Sequence, residues 1–363
     1  MSGPSIDRSS NRPLVGRWIQ IPSMSQEHVH IPVMPEEVVS LLGGRDDEET
    51  PSGLLVDATL GAGGHSALLL ERLPRLRVFG TDQDPEILDI ARRRLGPFQD
   101  RATLEHCRMT ELARRMRKLR LEAPIGFLMD VGVSSLQLDQ ADRGFSFMSD
   151  GPLDMRMDPE RDRTAADIIN RWDEGDLADL FYFEGGESRS RRIAAAIVEA
   201  RRRIPFKRTG VLADVIARAV GGRGKTHPAT KTFQALRRAV NEEGDELQAG
   251  LEAAETVLAD GGVLVVISFH SGEDGVVKRF LADRAKAGAW EVLTRRPLKP
   301  TPQEARTNPR SRSACLRAAR RVRTGEQPVT NQDSASSADQ NTGAFGSDAT
   351  GRHGKSRLEG ENR

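Results

Sequence analysis

Three aspartates and one glycine turn are the residues of this chain whose types and spacing could do chemistry. Asp57, Asp82 and Asp130 each follow a short apolar run, at 54–56, 78–79 and 125–129, and Gly61, Gly63 and Gly64 come directly after the first. A buried strand, a glycine turn and a helix start then occupy residues 53–66, bringing backbone close to whatever lies above the strand's carboxyl end. Open α/β sheets bind nucleotides there. Asp82 lies nineteen residues beyond Gly63, the spacing at which a carboxylate accepts hydrogen bonds from ribose hydroxyls. Asp84, just before Pro85 and a helical run, is the better helix cap, so the two carboxylates take different roles.

Two details separate a dinucleotide site from a methyl-donor site. Gly61, Gly63 and Ser66 give G-x-G-x-x-S, without the third glycine that close helix packing requires in dinucleotide folds. The string Asp57-Ala58-Thr59-Leu60-Gly61-Ala62-Gly63 resembles the Asp-Pro-Phe-x-Gly-x-Gly pattern of methyltransferases that modify exocyclic amines, with Ala58 and Thr59 replacing its Pro and Phe. S-adenosyl-L-methionine becomes the favoured cofactor.

The elements that must position these groups alternate. Strands are predicted at 53–57, 78–82, 102–106 and 125–130, and helices at 67–73, 86–95 and 111–121, the last strongly basic; this alternation implies a parallel, doubly wound sheet. The next internal strand, 262–269, comes more than a hundred residues later, and an ordinary crossover does not need that length. Helical candidates fill the gap at 188–203, 209–220 with Thr209 as cap, 229–241 and 245–258. In the last, Leu247, Leu251, Ala254 and Leu258 share one face. A helix after Ser271 and strands at 290–293 and within 313–319 complete the sheet. The expectation is an α/β, doubly wound, mostly parallel seven-stranded Rossmann-like class I methyltransferase fold. Its parts are a disordered arm (1–26), a catalytic domain in two parts (27–139 and 241–323), a helical insertion (140–240) and a disordered tail (324–363).

Whole-chain properties bound the function. Two cysteines, Cys107 and Cys315, build neither a disulfide framework nor a thiolate zinc site, and they suit a reducing compartment. His28 and His30 lack further ligands, so no metal is expected. No apolar run approaches a membrane span and no signal profile opens the chain, which reads as cytoplasmic. The net charge of +1 hides opposed blocks: residues 187–238 hold 14 Lys and Arg against 3 Asp and Glu, whereas 139–184 hold 5 against 13. The basic block, with Arg201 to Arg203, Lys207 and Arg208, is the footprint expected of an RNA contact.

Beyond Asp130 the chain continues Val131-Gly132-Val133-Ser134-Ser135-Leu136-Gln137, then Arg143-Gly144-Phe145-Ser146-Phe147 and 150–158, DGPLDMRMD. With 30–34, HIPVM, the glycine stretch, 227–230, HPAT, 232–237, TFQALR, 268–271, SFHS, and 308–313, NPRSRS, these strings resemble the bacterial ribosomal RNA small-subunit methyltransferase H family over about residues 30–320. That family methylates N4 of a 16S rRNA cytidine in the decoding centre. The resemblance implies cofactor contacts at Gly63, Gly64 and His65, at Asp82 for the ribose, and at Asp130 and Gln137; Met109 stands where the family usually has Phe. Further departures are Leu136 for Pro, 184–187, EGGE, for Tyr-Gly-Glu-Glu, Arg238 and Gly244 for apolar residues, and Gly272 for Leu.

The lone pair of a cytosine amine is delocalised into the ring, so an acceptor near its N–H must help localise it before attack on a sulfonium methyl. Asp130 is sited to be the cofactor contact, the amine's acceptor, or both; Ser134 and Ser135 come next, with capping as their other role. Positioning should outweigh strong basicity. Phe145 and Phe147 either stack on an extruded base or belong to the core, and Arg156 either meets phosphate or pairs with Asp154 or Asp158. Val131-Gly132 departs from the Pro-Pro-aromatic of DNA amino-methyltransferases, and His270 lacks the glycine frame of a hydrolase elbow. The reading is a 16S rRNA (cytosine-N4)-methyltransferase acting on the small ribosomal subunit, its oligomeric state open. A ribosome-assembly RNA binder that keeps the cofactor fold without turnover is the alternative, and a nicotinamide oxidoreductase the third choice.

Overall fold

Seven strands and thirteen helices are present in the computed structural model, which describes residues 31–43, 51–221 and 226–323. The strands are β1 (Gly53–Asp57), β2 (Leu76–Asp82), β3 (Ala102–His106), β4 (Gly126–Asp130), β5 (Val263–Ser268), β6 (Trp290–Val292) and β7 (Cys315–Arg321). They form one sheet in the order β3-β2-β1-β4-β5-β7-β6. β1, β4 and β5 are almost wholly buried, as unbroken apolar runs must be when helices cover both faces of a parallel sheet. β3 ends the sheet, and its Ala-Thr-Leu-Glu-His alternation leaves one side half exposed.

Six of the seven strands point the same way, with β3, β2, β1, β4 and β5 pairing in parallel. β7 runs antiparallel and lies between β5 and β6, an insertion that periodicity alone does not reveal. β1 pairs in parallel with β2 on one side and β4 on the other, so successive crossovers leave it in opposite directions. A crevice opens there, outside the strands' carboxyl ends.

The helices are α1 (Pro35–Leu42), α2 (Gly64–Arg72), α3 (Pro85–Arg94), α4 (Met109–Lys118), α5 (Ser135–Asp139), α6 (Ala165–Arg171), α7 (Glu174–Phe183), α8 (Ser190–Arg201), α9 (Thr209–Val220), α10 (Thr230–Asn241), α11 (Glu243–Val257), α12 (Ser271–Lys286) and α13 (Pro302–Thr307). Two cores sandwich the sheet. One gathers Leu55, Leu69, Leu70, Leu88 and Val265 on one face; the other gathers Phe79, Phe127, Leu112, Leu251 and Phe280 on the opposite face. A third core, built around Phe181, Ile193, Ile197, Ile216 and Leu236, draws its buried residues from 145–240 alone.

Local chemistry explains most boundaries. Asp84 caps α3 as expected, accepting from the amides of Glu86 and Ile87. Thr209 does not cap α9: its hydroxyl accepts from Gly151 N at 3.0 Å, tying the helix to the preceding loop. α5, α6 and α7 lie between residues 130 and 188, where the sequence predicts no individual helix, although α6 and α7 fall within the expected helical insertion. α6 is seven residues long, too short to display a period, and it is nucleated by a reciprocal cap between Thr164 and Asp167. The arm 1–26, the tail 324–363, and His28 and His30 lie outside the described residues.

Asn241 joins α10 to the loop behind the crevice. Its buried amide donates to the carbonyls of Met155 and Arg237, both at 2.8 Å, and accepts from Met157 N at 2.8 Å. Met155 holds φ 67°, a left-handed conformation that a non-glycine residue keeps only when its surroundings enforce it. Asn241→Ala strands two backbone groups and should lower unfolding free energy by about 2–4 kcal/mol. Denaturant titration checks this, and a loss under about 1 kcal/mol would show that the clamp is dispensable.

Candidate active site

The glycine turn is held in shape by its own backbone and by Asp82. Leu60 N donates to Thr81 O and Gly63 N to Leu60 O, both at 2.9 Å. Gly61 and Gly63 take φ 54° and 76°, so both need glycine. Asp82 Oδ2 accepts from Gly61 N at 2.8 Å, and Oδ1 accepts from Asp84 N at 2.9 Å. Burial outweighs these donors and pushes the Asp82 carboxyl up to about 6. Asp82 therefore both sets the turn and faces the space above it.

That space is a cavity of about 380 Å³ over the crevice, within the range of small-ligand sites. Gly64, His65, Asp82, Met109, Asp130, Ser134 and Gln137 all line it. Gly63 does not; a Cβ added there would meet Ala91 of α3 and Leu95 just beyond that helix at 3.4–3.5 Å. Met109 forms part of the wall, and Gly250 of α11 makes room for it: a Cβ there would come within 2.7 Å of the Met109 sulfur.

Asp130 ends β4 and is set by Thr59, whose hydroxyl accepts from its backbone N at 2.6 Å. Its side chain is 17% exposed, and Oδ2 lies 3.7 Å from His65 Nδ1. The opposite ring nitrogen of His65 is 2.8 Å from Val33 O, which anchors the imidazole. Oδ1 of Asp130 is buried with no hydrogen-bond partner among the described residues. Burial, then the charges of Asp57 and Glu273, push the Asp130 carboxyl up to about 8. Asp57 is also raised, to about 6, chiefly by burial and despite a 2.6 Å bond from Ser66 Oγ. The cavity floor is thus short of cations, a poor place for a pyrophosphate and a favourable one for a cation or an N–H donor.

Ser134 and Gln137 are engaged with each other. Ser134 Oγ accepts from Gln137 N at 3.2 Å, and Gln137 Oε1 accepts from Ser134 N at 2.9 Å, a capping box that starts α5. Gln137 Nε2 also donates to Asp84 Oδ2 at 2.8 Å. Both ends of the Gln137 amide are thereby taken, and the Ser134 hydroxyl serves as a cap rather than standing free for catalysis.

The three residues expected to meet substrate lie elsewhere. Phe145 is 5% exposed within the third core. Phe147 packs on the same core, its ring 4.6 Å from that of His227 and 4.8 Å from that of Phe233. Arg156 is clamped by both carboxylate oxygens of Asp154, each at 2.8 Å, and by the carbonyls of Pro159 and Arg161. Phe145 is unavailable for stacking, and Arg156 builds the loop, because apolar burial and local pairing use each side chain fully.

Other wall residues escaped assignment from sequence: Thr59, Gln234, Arg237, Phe269, His270 and Glu273. Four of them, Gln234, Arg237, Phe269 and His270, belong to the strings 232–237 and 268–271 that carry the family resemblance. His270 caps α12, its Nδ1 accepting from Glu273 N at 3.3 Å, with Nε2 2.7 Å from Glu273 Oε1.

Comparison with known proteins places this architecture. The model of the MraW methylase family matches residues 27–322. A protein of Solibacter usitatus named ribosomal RNA small subunit methyltransferase H is 47% identical over 80% of this chain and 99% of its own length. Proteins of the same name from Sorangium cellulosum and Bradyrhizobium diazoefficiens are 48% and 46% identical, covering 81% and 85% of this chain and 91% and 95% of their own lengths.

Proposed function

This chain belongs to the MraW methylase family, whose members are S-adenosylmethionine-dependent methyltransferases, and from that premise we propose that it methylates the exocyclic N4 amine of a decoding-centre cytidine in 16S rRNA. It acts on that RNA within the small ribosomal subunit, in the cytoplasm. The observation that carries the reading is Asp130 Oδ1, a buried acceptor with no partner among the described residues, at the floor of the cavity where the glycine turn ends.

The residues present fit the cofactor. Gly61 and Gly64 give backbone access, Asp82 offers carboxylate lone pairs to ribose hydroxyls, and Met109 and Ile87 provide apolar wall. The acidic floor formed by Asp57, Asp130 and Glu273 suits a sulfonium better than a phosphate. When bound, the cofactor supplies an electrophilic methyl group. Asp130 accepts an N4–H hydrogen bond, which localises the amine's lone pair out of the ring plane, and then receives the proton that the methylated amine sheds. His65 and Thr59 hold Asp130 in place.

Residues 140–240 form the RNA-facing insertion in this reading. Several of its arginines are structural: Arg189, Arg201 and Arg238 bond to the carbonyls of Val220, Ile169 and Glu184. Arg191, Arg192, Arg203 and Lys207 instead stand exposed, with no ion pair among the described residues. Tyr182 and Phe183, 54% and 73% exposed, end α7, which packs on α8. Exposed aromatics on one helix and exposed cations on the helix packed against it suit a structured RNA surface.

Replacing Arg191 and Arg192 together by Ala should weaken binding to the small subunit and flatten the log–log salt dependence of affinity by about 1.4 to 1.8, with cofactor affinity unchanged. Filter binding across a salt series checks this, and an unaltered slope would move the RNA contact off α8. Transfer of a tritiated methyl group into small subunits from cells lacking this enzyme tests the whole reading. Label in the RNA supports it, whereas cofactor binding without label would favour an assembly factor that does not turn over.

A further inference from the structure

The sheet order divides the cavity wall. Gly61 and Met109 follow β1 and β3 and Asp82 ends β2, whereas Val131 to Ser134 and Phe269 to Glu273 follow β4 and β5. Glu273 is held charged by His270 and, more weakly, by Arg237 of α10, so α10 reaches the cavity on the β5 side. Gln234 precedes Arg237 by three residues, on the same face of that helix, and lines the cavity with it.

Most polar side chains on the β5 side are already committed. Arg237 gives two hydrogen bonds to Glu243, at 2.7 and 2.8 Å. His270 and Glu273 face each other, and Ser134 caps α5. Gln234 differs: its half-buried amide makes no hydrogen bond with a described residue, so its carbonyl and both N–H groups remain unspent toward the cavity. An amide left free at the cavity wall is available to a partner that arrives with the substrate.

Resting on the function proposed above, we infer that Gln234 reads the pairing edge of the target cytosine. Its N–H donates to cytosine N3 and its carbonyl accepts one N4 hydrogen, while Asp130 Oδ1 accepts the other. With both amine hydrogens drawn to acceptors, the lone pair withdraws from the ring and localises on N4 for transfer. The pair also rejects uracil. An amide alone can turn to suit either base, but the ionised form of Asp130, the one competent for transfer, cannot donate to the uracil O4 that would face it, and that clash supplies the discrimination. The helical insertion thereby contributes to base choice as well as to RNA affinity.

The test compares wild type with Gln234→Leu, which keeps the volume, and Gln234→Glu, which keeps polarity but removes the donor. Methyl transfer to unmodified small subunits, S-adenosylhomocysteine affinity and Tm are measured for each. Both variants should lose about 10- to 100-fold in kcat/KM for RNA, with cofactor affinity and Tm near wild type. Activity within twofold of wild type in either variant overturns the inference. If Leu unsettles α10 and lowers Tm, the Glu variant decides alone. A wild-type enzyme that transfers nothing to RNA would instead reject the function on which this rests, so the two failures are distinct.

Discussion

Asp130→Asn lowers kcat by about 10²- to 10³-fold, the range for loss of a positioned proton acceptor, and leaves affinity for the small subunit within about threefold. The substitution is nearly isosteric, and the bond from Asp130 to Thr59 Oγ1 uses the backbone N, so the end of β4 stays where it is. Only the charge and the capacity to take a proton are lost. The carboxyl is raised to about 8, first by burial and then by Asp57 and Glu273. Since the ionised form is the acceptor, kcat/KM for the cofactor should climb about tenfold per pH unit below that value and level off above it. The Asn variant should show no such limb. An unchanged kcat, or the same pH limb in the variant, would remove Asp130 from the chemistry.

Asp82→Ala weakens binding of S-adenosylhomocysteine by about 100-fold, measured by calorimetry. Asp82 holds Gly61 N and Asp84 N at 2.8 and 2.9 Å, so its removal frees the glycine turn in the same step that deletes the ribose acceptor. Hydrogen bonds to charged groups contribute about 1.5–3 kcal/mol each, and the loss of one to two of them corresponds to the expected factor. Asp82→Asn keeps one acceptor oxygen and should lose only about 10-fold. Binding within threefold of wild type in the Ala variant would mean that the ribose lies elsewhere.

Those two aspartates were legible from sequence because strand ends and glycine turns leave local marks. Apolar runs ending in Asp, and a fixed interval to the second carboxylate, are properties of a few adjacent residues. The central strands read clearly for the same reason, being buried on both faces. What stayed hidden depends on residues far apart in the chain. Gln234 and Asp130 are brought to one cavity by a crossover of more than a hundred residues, and no period announces that meeting. Phe145 and Arg156 stood in a conspicuous cluster, yet their neighbours are the third core and Asp154. A loop dense in special residues there marks a tightly bonded scaffold: Arg143 alone spans Asp84, Glu86 and the carbonyls of Arg156 and Met157. The antiparallel β7 was likewise invisible, because strand order is fixed by pairing across the sheet rather than by any strand's own composition.

Delivery of a methyl group from this cavity to a cytosine amine is the chemistry on which every site assignment above depends. Its most direct test is mass spectrometry of nucleosides from small-subunit RNA after reaction of unmodified subunits with the enzyme and isotopically labelled S-adenosylmethionine. Label should appear in N4-methylcytidine, at a yield approaching one per subunit, and none with Asp130→Asn on the same timescale. Label at a ring carbon, on the ribose, or in a different base would contradict it.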